Sequence, residues 1–229
     1  MNSRAKLLVS VRSVVEAEAA VLGGADLIDI KEPAAGPLGK ADSRVIAEIL
    51  SVVDRRCPVS AAFGEWKDHP TNTIIDPKLK FVKWGLAGKR GQLAEATTEI
   101  VGTVGPRAVL VHYADSHLAD SPTLAELHNL LEKVSVPLVL IDTFVKDGRG
   151  LIDWISRKDL EKLIEMLRKR GTQIAVAGSL NFTLIPAIVA MQPDWIAVRG
   201  AACVGGRNGS VSEERVAELA RLIRENPGS

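Results

Sequence analysis

The feature that most constrains the fold is an alternation of short apolar segments with helical patterns along the 229-residue chain. Eight segments have the length and the apolar, β-branched composition that are typical of strands. They are KLLVSVR from Lys6, DLIDIKEP from Asp26, PVSAAFGE from Pro58, FVKWGLAG from Phe81, RAVLVHYAD from Arg107, PLVLIDTFVKD from Pro137, QIAVAGSL from Gln173 and DWIAVRGAA from Asp194. Each strand with its connection therefore takes about 29 residues, which suits a chain of eight βα units.

Helical patterns separate most of these segments. SVVEAEAAVLGG ends in glycine, as helices often do, and SPTLAELHNLLEKV begins with Ser121 as a candidate N-cap. SRKDLEKLIEMLRKRG places leucine and isoleucine on one stripe, and SVSEERVAELARLIREN predicts a helix that starts at Ser210 or Ser212. The connection from Trp66 to Lys80 differs, because two prolines and little helical periodicity predict a short or irregular crossover.

Strands that alternate with helices predict parallel βαβ units, and eight of them predict a (β/α)8 barrel, the TIM-barrel fold. No linker or repeat divides the chain, so we expect residues 1–229 to form a single catalytic domain. An open doubly wound sheet is the main alternative. Its dinucleotide-binding version is disfavoured because no Gly-x-Gly-x-x-Gly follows the first strand.

Charge and cysteine content restrict the partners and the compartment. The formal net charge of +1 gives no support for a nucleic-acid or membrane-surface partner. Cys57 and Cys203 are too few for a disulfide scaffold and match no metal motif, which favours a reducing, cytoplasmic location. Charges interrupt the first apolar run before a signal-peptide core forms, and no apolar run is long enough to span a bilayer.

Lysines and aspartates lie at the ends of three predicted strands. Chemistry in (β/α)8 barrels takes place where the C-terminal strand ends converge. Lys83 ends the fourth strand, while the second and sixth carry pairs: Asp29 with Lys31, and Asp142 with Lys146. A single strand-end lysine is usually a rim charge, but three on alternate strands predict a cluster. Neighbouring cations and burial lower a lysine pKa, and a neutral amine forms a Schiff base with a carbonyl substrate.

Glycine-containing loops follow the last two strands. Barrels of this class often bind a phosphate there on backbone N–H groups. We therefore predict a phosphate site; the alternative is that these glycines only make turns. The candidate residues are Gly178, Ser179, Arg199, Gly200, Ala201 and Ala202.

Other polar motifs carry weaker signals. His112, Asp115 and His117 could ligate a metal, but we favour the interpretation that the histidines lie on the barrel rim. GGRNGS, from Gly205 to Ser210, lacks the Gly-Lys-Ser/Thr of a P-loop and is interpreted as a flexible loop or lid.

Several motifs together resemble one known family, (5-formylfuran-3-yl)methyl phosphate synthase, which makes the furan precursor of methanofuran. They are LLVSVRSVVEAEAAVLGGADLIDIKEPAAGPLG, VSAAFGE, VKWGLAG, YAD, IDTFVKDG, AGSL and VRGAACVGGRNG. The resemblance covers nearly the whole chain in order. The chain departs from the family pattern between Trp66 and Lys80, which is shorter, and at His112, where the pattern does not ask for histidine.

The resemblance implies a (β/α)8 barrel that condenses two molecules of glyceraldehyde 3-phosphate. The product would be 4-(hydroxymethyl)-2-furancarboxaldehyde phosphate, with release of phosphate and water. Lys31 would be the Schiff-base residue and Lys83 a proton acceptor, with Asp29, Asp142 and Lys146 as partners. None of these steps is redox chemistry, so no metal or organic cofactor is expected. We also expect a homo-oligomer.

Two other functions stay open on the sequence. A class I aldolase or isomerase acting on another sugar phosphate would use the same lysine chemistry on the same scaffold. A non-catalytic barrel that only binds a phosphosugar would leave the three strand-end lysines unexplained.

Overall fold

The computed structural model describes residues 5–69 and 73–226, and its centre is a closed barrel of eight parallel strands. The strands pair in chain order, and the eighth closes onto the first. Each lies in a segment predicted from the sequence, and the predicted (β/α)8 fold is confirmed. The strands are β1 Lys6–Val11, β2 Leu27–Ile30, β3 Val59–Glu65, β4 Phe81–Gly85, β5 Ala108–Tyr113, β6 Leu138–Asp142, β7 Gln173–Val176 and β8 Trp195–Val198.

Helices follow most strands and cover the outside of the barrel. They are α1 Val14–Leu22, α2 Ser43–Val53, α3 Leu93–Val104, α4 Leu124–Leu131, α5 Arg157–Lys169, α6 Ile185–Val189 and α7 Glu213–Glu225. Ser212 caps α7, which decides between the two predicted starts. The predicted cap of α4 is wrong, because Thr123 rather than Ser121 caps that helix and forms a capping box with Glu126.

The connection from β3 to β4 is irregular, as predicted. A single 3-10 turn, Trp66–Asp68, is the one helical element among its described residues. Residues 70–72, which belong to the same predicted segment, lie outside the described part. A second irregular stretch follows β8, where β9 Cys203–Val204 and β10 Ser210–Val211 form an antiparallel ribbon around the Gly206–Asn208 turn.

The barrel interior changes from apolar to polar along the strand direction. Inward-facing residues near the N-terminal strand ends form one apolar cluster that includes Leu8, Leu27, Phe81 and Leu140. Because side chains alternate along a strand, the next inward positions are Ser10, Asp29, Lys83 and Asp142. The same periodicity that fills the barrel thus directs four polar side chains into its C-terminal end. A second apolar cluster packs the strands against the helices.

No helix within the two described ranges has the length and apolarity that a bilayer crossing requires.

Candidate active site

A cavity of about 430 Å³ opens among the C-terminal strand ends. Its volume falls within the range of about 300–1,000 Å³ that is typical of small-molecule sites. Every predicted site residue except Ala202 contributes to its wall: Asp29, Lys31, Lys83, Asp142, Lys146, Gly178, Ser179, Arg199, Gly200 and Ala201.

Asp29 and Lys83 form a buried ion pair on one side of this cavity. Lys83 Nζ lies 2.5 Å from Asp29 Oδ1, and the two side chains are 4% and 2% exposed. The carboxylate also accepts hydrogen bonds from Ser10 Oγ at 3.0 Å and Ser60 Oγ at 2.7 Å. Ser10, Asp29 and Ser60 are register partners on three adjacent strands, so backbone pairing fixes the carboxylate. The lysine that forms an ion pair with Asp29 is thus Lys83 and not Lys31, its neighbour in sequence.

Asp142 and Lys146 form a second pair. Lys146 Nζ donates to Asp142 Oδ1 at 2.7 Å and to Thr143 Oγ1 at 2.9 Å. Burial by itself would raise the pKa of Asp142, but Lys146 and Lys31 outweigh it and hold that pKa below its ordinary value. This carboxylate is therefore ionised at neutral pH, and it can exchange a proton with the adjacent amine.

Lys31 differs from the other two lysines because its amine has no partner among the described residues. No described residue lies within hydrogen-bond or ion-pair distance of its Nζ, although the side chain is only 8% exposed and lines the cavity. Burial lowers the pKa of Lys31 to about 8. Asp142 and Asp29 oppose that shift, while Lys146 and Lys83 support it. Roughly one tenth of the Lys31 amine is consequently neutral at pH 7 and able to attack a carbonyl group.

The loop after β7 presents backbone donors to the cavity. Gly178 has a φ of +97° and Ser179 a φ of +53°, which turn the chain sharply after the strand. A non-glycine residue at positive φ is strained, and such strain is concentrated at functional sites. No described residue accepts a hydrogen bond from the N–H of Gly178 or Ser179, nor from that of Gly200 or Ala201 after β8. These four N–H groups are available to an anion.

Two members of the predicted phosphate site have other partners. Ala202 does not line the cavity, and its N–H donates to the Arg199 carbonyl at 2.9 Å, so including Ala202 was wrong. The guanidinium of Arg199 is buried against Glu16, with contacts of 2.8 and 3.1 Å. Because Glu16 neutralises it, Arg199 contributes its backbone to the cavity rather than its charge.

Among the described residues, the two histidines of the HYADSH motif do not form a metal site with Asp115. His112 is buried, so the rim interpretation is wrong for it, and burial lowers its pKa to about 4. Asp115 accepts the N–H groups of Phe144 at 2.7 Å and Val145 at 2.8 Å, which orders the loop after β6. His117 lies 5.5 Å from the ring of Trp154. The described residues hold no cluster of three or more metal-ligating side chains.

Several residues of this site were not predicted from the sequence. Ser10 and Ser60 face the barrel interior at the same level as Asp29, a position that the alternation along their strands could have indicated. Arg207 and Arg215 also line the cavity. They come from the ribbon after β8 and from α7, where no periodic pattern marks an inward position.

Comparisons with known proteins find relatives that align with this chain over nearly its whole length and theirs. Residues 7–220 match the family model described as 4-HFC-P synthase. A protein from Methanosarcina mazei named (5-formylfuran-3-yl)methyl phosphate synthase is 33% identical over 227 residues, which cover 93% of this chain and 97% of that protein. A protein of the same name from Archaeoglobus fulgidus is 30% identical over 95% of this chain and 99% of its own length.

Solved structures share the barrel at low sequence identity. Thiamine phosphate pyrophosphorylase from Pyrococcus furiosus has a TM-score of 0.65 at 15% identity, over 99% of this chain and 98% of its own. 3-Hexulose-6-phosphate synthase from Salmonella typhimurium has a TM-score of 0.61 at 17% identity, over 96% and 99%. At these identities the likeness concerns the fold alone.

Proposed function

Because the chain belongs to the 4-HFC-P synthase family and is an enzyme, we propose that it acts as a (5-formylfuran-3-yl)methyl phosphate synthase. The reaction joins two molecules of glyceraldehyde 3-phosphate into 4-(hydroxymethyl)-2-furancarboxaldehyde phosphate. Release of one phosphate and two waters balances the atoms. The furan would serve a methanofuran-type cofactor, and the barrel would act as one catalytic domain.

The observation that carries the proposal is the Lys31 amine, which has no partner in the described part of the chain and lies between two lysine–aspartate pairs. In the proposed mechanism this amine attacks the carbonyl carbon of one triose phosphate, and the carbonyl oxygen leaves as water to give an imine. Loss of a proton from the adjacent carbon gives an enamine, whose carbon attacks the aldehyde of the second triose phosphate. Hydrolysis of the imine later returns the free amine.

The two ion pairs supply the proton transfers that this chemistry needs. One triose phosphate must reach its ketone form, and enamine formation, elimination of phosphate and dehydration each move protons. Lys83 with Asp29 and Lys146 with Asp142 are two such relays, which line the same cavity as Lys31. In the proposed mechanism both pairs take part in these transfers.

The substrate phosphates are proposed to bind at the loops after β7 and β8. The assignment is supported by four backbone N–H groups that no residue within 5–69 and 73–226 accepts from, at Gly178, Ser179, Gly200 and Ala201. Backbone donors hold a phosphate without adding flexible side chains, and glycine allows close approach.

Purified protein incubated with glyceraldehyde 3-phosphate tests the proposal. We expect the ultraviolet absorption of a furan aldehyde together with released inorganic phosphate, and both should vanish in Lys31→Met. Lys162→Met, which removes an exposed lysine on α5, is the matched control and should retain both signals. An open-chain sugar phosphate would instead indicate an aldolase or isomerase, and binding without turnover would indicate a phosphosugar-binding barrel.

A further inference from the structure

Arg207 is a cavity-lining arginine for which the proposed mechanism gives no role. Its Nη2 donates to the carbonyls of Pro33 at 3.2 Å and Gly36 at 3.1 Å, in the loop that follows Lys31. No residue in the described ranges accepts from its Nε or Nη1. A guanidinium presents five N–H donors, so Arg207 retains three for a ligand.

The backbone that carries Arg207 is fastened by two other arginines. Arg199, held by Glu16, donates to the carbonyl of Arg207 at 3.0 Å and to that of Gly209 at 3.2 Å. Arg12 donates to the carbonyl of Asn208 at 3.2 Å. Three successive carbonyls of the loop are thereby fixed. The loop was expected to be flexible, but it offers Arg207 a defined position, as a preorganised binding group requires.

Most other cations near the cavity already have a carboxylate partner. Lys83, Lys146 and Arg199 are each paired with an acidic side chain. Arg215 donates its Nε to the Ala201 carbonyl at 2.8 Å and lies 5.1 Å from the Phe182 ring. Burial lowers the pKa of Arg207, with Asp142 opposing and Arg199 adding to the effect. A bound anion would compensate this half-buried charge.

Arg207 also lies directly beside the predicted phosphate loop. A Cβ placed on Gly200 would be 3.6 Å from the backbone nitrogen of Arg207 and 3.8 Å from its Cα. Gly200, whose N–H has no acceptor among the described residues, therefore adjoins Arg207 in the cavity wall.

We propose that Arg207, rather than the sequence-predicted Arg199, is the guanidinium that binds the substrate phosphate. It acts together with the N–H groups of Gly200 and Ala201, and its bonds to Pro33 and Gly36 tie the bound phosphate to the loop after Lys31. The proposal rests on the proposed function in one respect, that the substrate is a phosphomonoester. It makes Arg207 the residue that selects phosphorylated over unphosphorylated carbonyl compounds.

Binding of sn-glycerol 3-phosphate, measured by calorimetry, tests this role separately from catalysis. This ligand has a phosphate but no carbonyl, so it forms no imine and undergoes no turnover. The wild-type protein should bind it and should not bind glycerol at the same concentration. Arg207→Met should weaken binding about ten- to a hundred-fold, the range expected when charge-assisted hydrogen bonds are lost.

Arg12→Met is the matched control, because it makes the same chemical change in a residue that fastens the same loop without lining the cavity. It should change the Kd less than about three-fold. Equal losses in both variants would show that loop order matters and the guanidinium does not, and would overturn the proposal. Loss in Arg215→Met but not in Arg207→Met, or no binding by the wild type, would also overturn it. Absence of a furan product would contradict the proposed function alone.

Discussion

Replacing Asp142 with asparagine should make Lys31 more reactive at neutral pH. With a pKa of about 8, roughly one tenth of the Lys31 amine is neutral at pH 7. An ordinary lysine with a pKa of about 10.4 has a neutral fraction of roughly 0.04%. Asp142 acts against this activation, because its negative charge raises the pKa of Lys31.

The expected size of the effect follows from the nature of the interaction. An opposite charge at close range shifts a pKa by about one to three units, and one unit corresponds to about 1.4 kcal/mol. Loss of the Asp142 charge also leaves Lys146 as an unpaired cation, which lowers the pKa of Lys31 further. A shift of one unit would raise the neutral fraction at pH 7 from about one tenth to about one half. Imine formation should then be about five times faster.

The assay is the pH dependence of imine formation with dihydroxyacetone, which carries no phosphate and does not titrate between pH 6 and 10. The adduct is trapped with cyanoborohydride and quantified on the peptide that contains Lys31. The midpoint should fall in Asp142→Asn and rise in Lys146→Met, because Lys146 lowers the pKa of Lys31. Asp147→Asn is the control, since Asp147 is an exposed partner of Arg149 outside the cavity, and its midpoint should not move. A rise in Asp142→Asn, or the same direction in Asp142→Asn and Lys146→Met, would refute the reasoning.

Three further predictions concern stability, substrate binding and metals. The charged form of Lys31 is disfavoured in the folded state by about 3 kcal/mol at pH 7, because its folded pKa of about 8 lies below the unfolded value. Lys31→Met should raise the free energy of unfolding by up to that amount in urea titrations. The gain should disappear between pH 8 and roughly 10.5, where the lysine becomes neutral in both states, and a gain independent of pH would contradict the assignment. Gly178→Leu should raise KM sharply in steady-state assays, because a Cβ there would lie 3.1 Å from Thr143 Cγ2 at a φ of +97°, and an unchanged KM would exclude the loop from phosphate binding. Exhaustive chelation should leave turnover unchanged, whereas a loss restored by one divalent ion would return attention to His112, Asp115 and His117.

The fold could be predicted because its determinants are local. Each strand of the barrel is an apolar segment bounded by turn residues, and eight such segments in series define the architecture. The prediction of one helix cap failed, because two nearby residues can both act as the cap. Ser121 and Thr123 are both acceptable caps for α4, and only Thr123 has a glutamate three residues later to complete a capping box.

The sequence indicated which residues belong to the site, but it did not indicate which of them form ion pairs. Alternation along each strand identifies Asp29, Lys31 and Lys83 as residues at the same end of the barrel. The pairing of Asp29 with Lys83 depends on closure of the barrel, which brings together side chains from strands that are not neighbours. Asp29 is two residues from Lys31 in sequence, but the geometry of the barrel interior places its carboxylate against the amine of Lys83.

The prediction that Arg199 belongs to the phosphate site also depended on a partner that the sequence does not reveal. Arg199 and Arg207 belong to one motif, and Arg199 directly precedes the glycine expected to approach the phosphate. Its neutralising partner, Glu16, lies on α1, 183 residues earlier in the chain. No pattern within the motif reveals this pair. It leaves Arg207 as the arginine of the motif that lines the cavity without a carboxylate partner among the described residues.

The most direct test of the central claim is to add borohydride during turnover of glyceraldehyde 3-phosphate and map the adduct by mass spectrometry. We predict one covalent adduct, on the peptide that contains IDIKEPAAG. Lys31→Ala and Lys31→Arg should lose both the adduct and the furan, since a guanidinium stays protonated and forms no imine. Lys83→Ala and Lys146→Ala should turn over slowly and still give an adduct at Lys31. An adduct at Lys83 or Lys146, together with normal activity of Lys31→Ala, would contradict the claim.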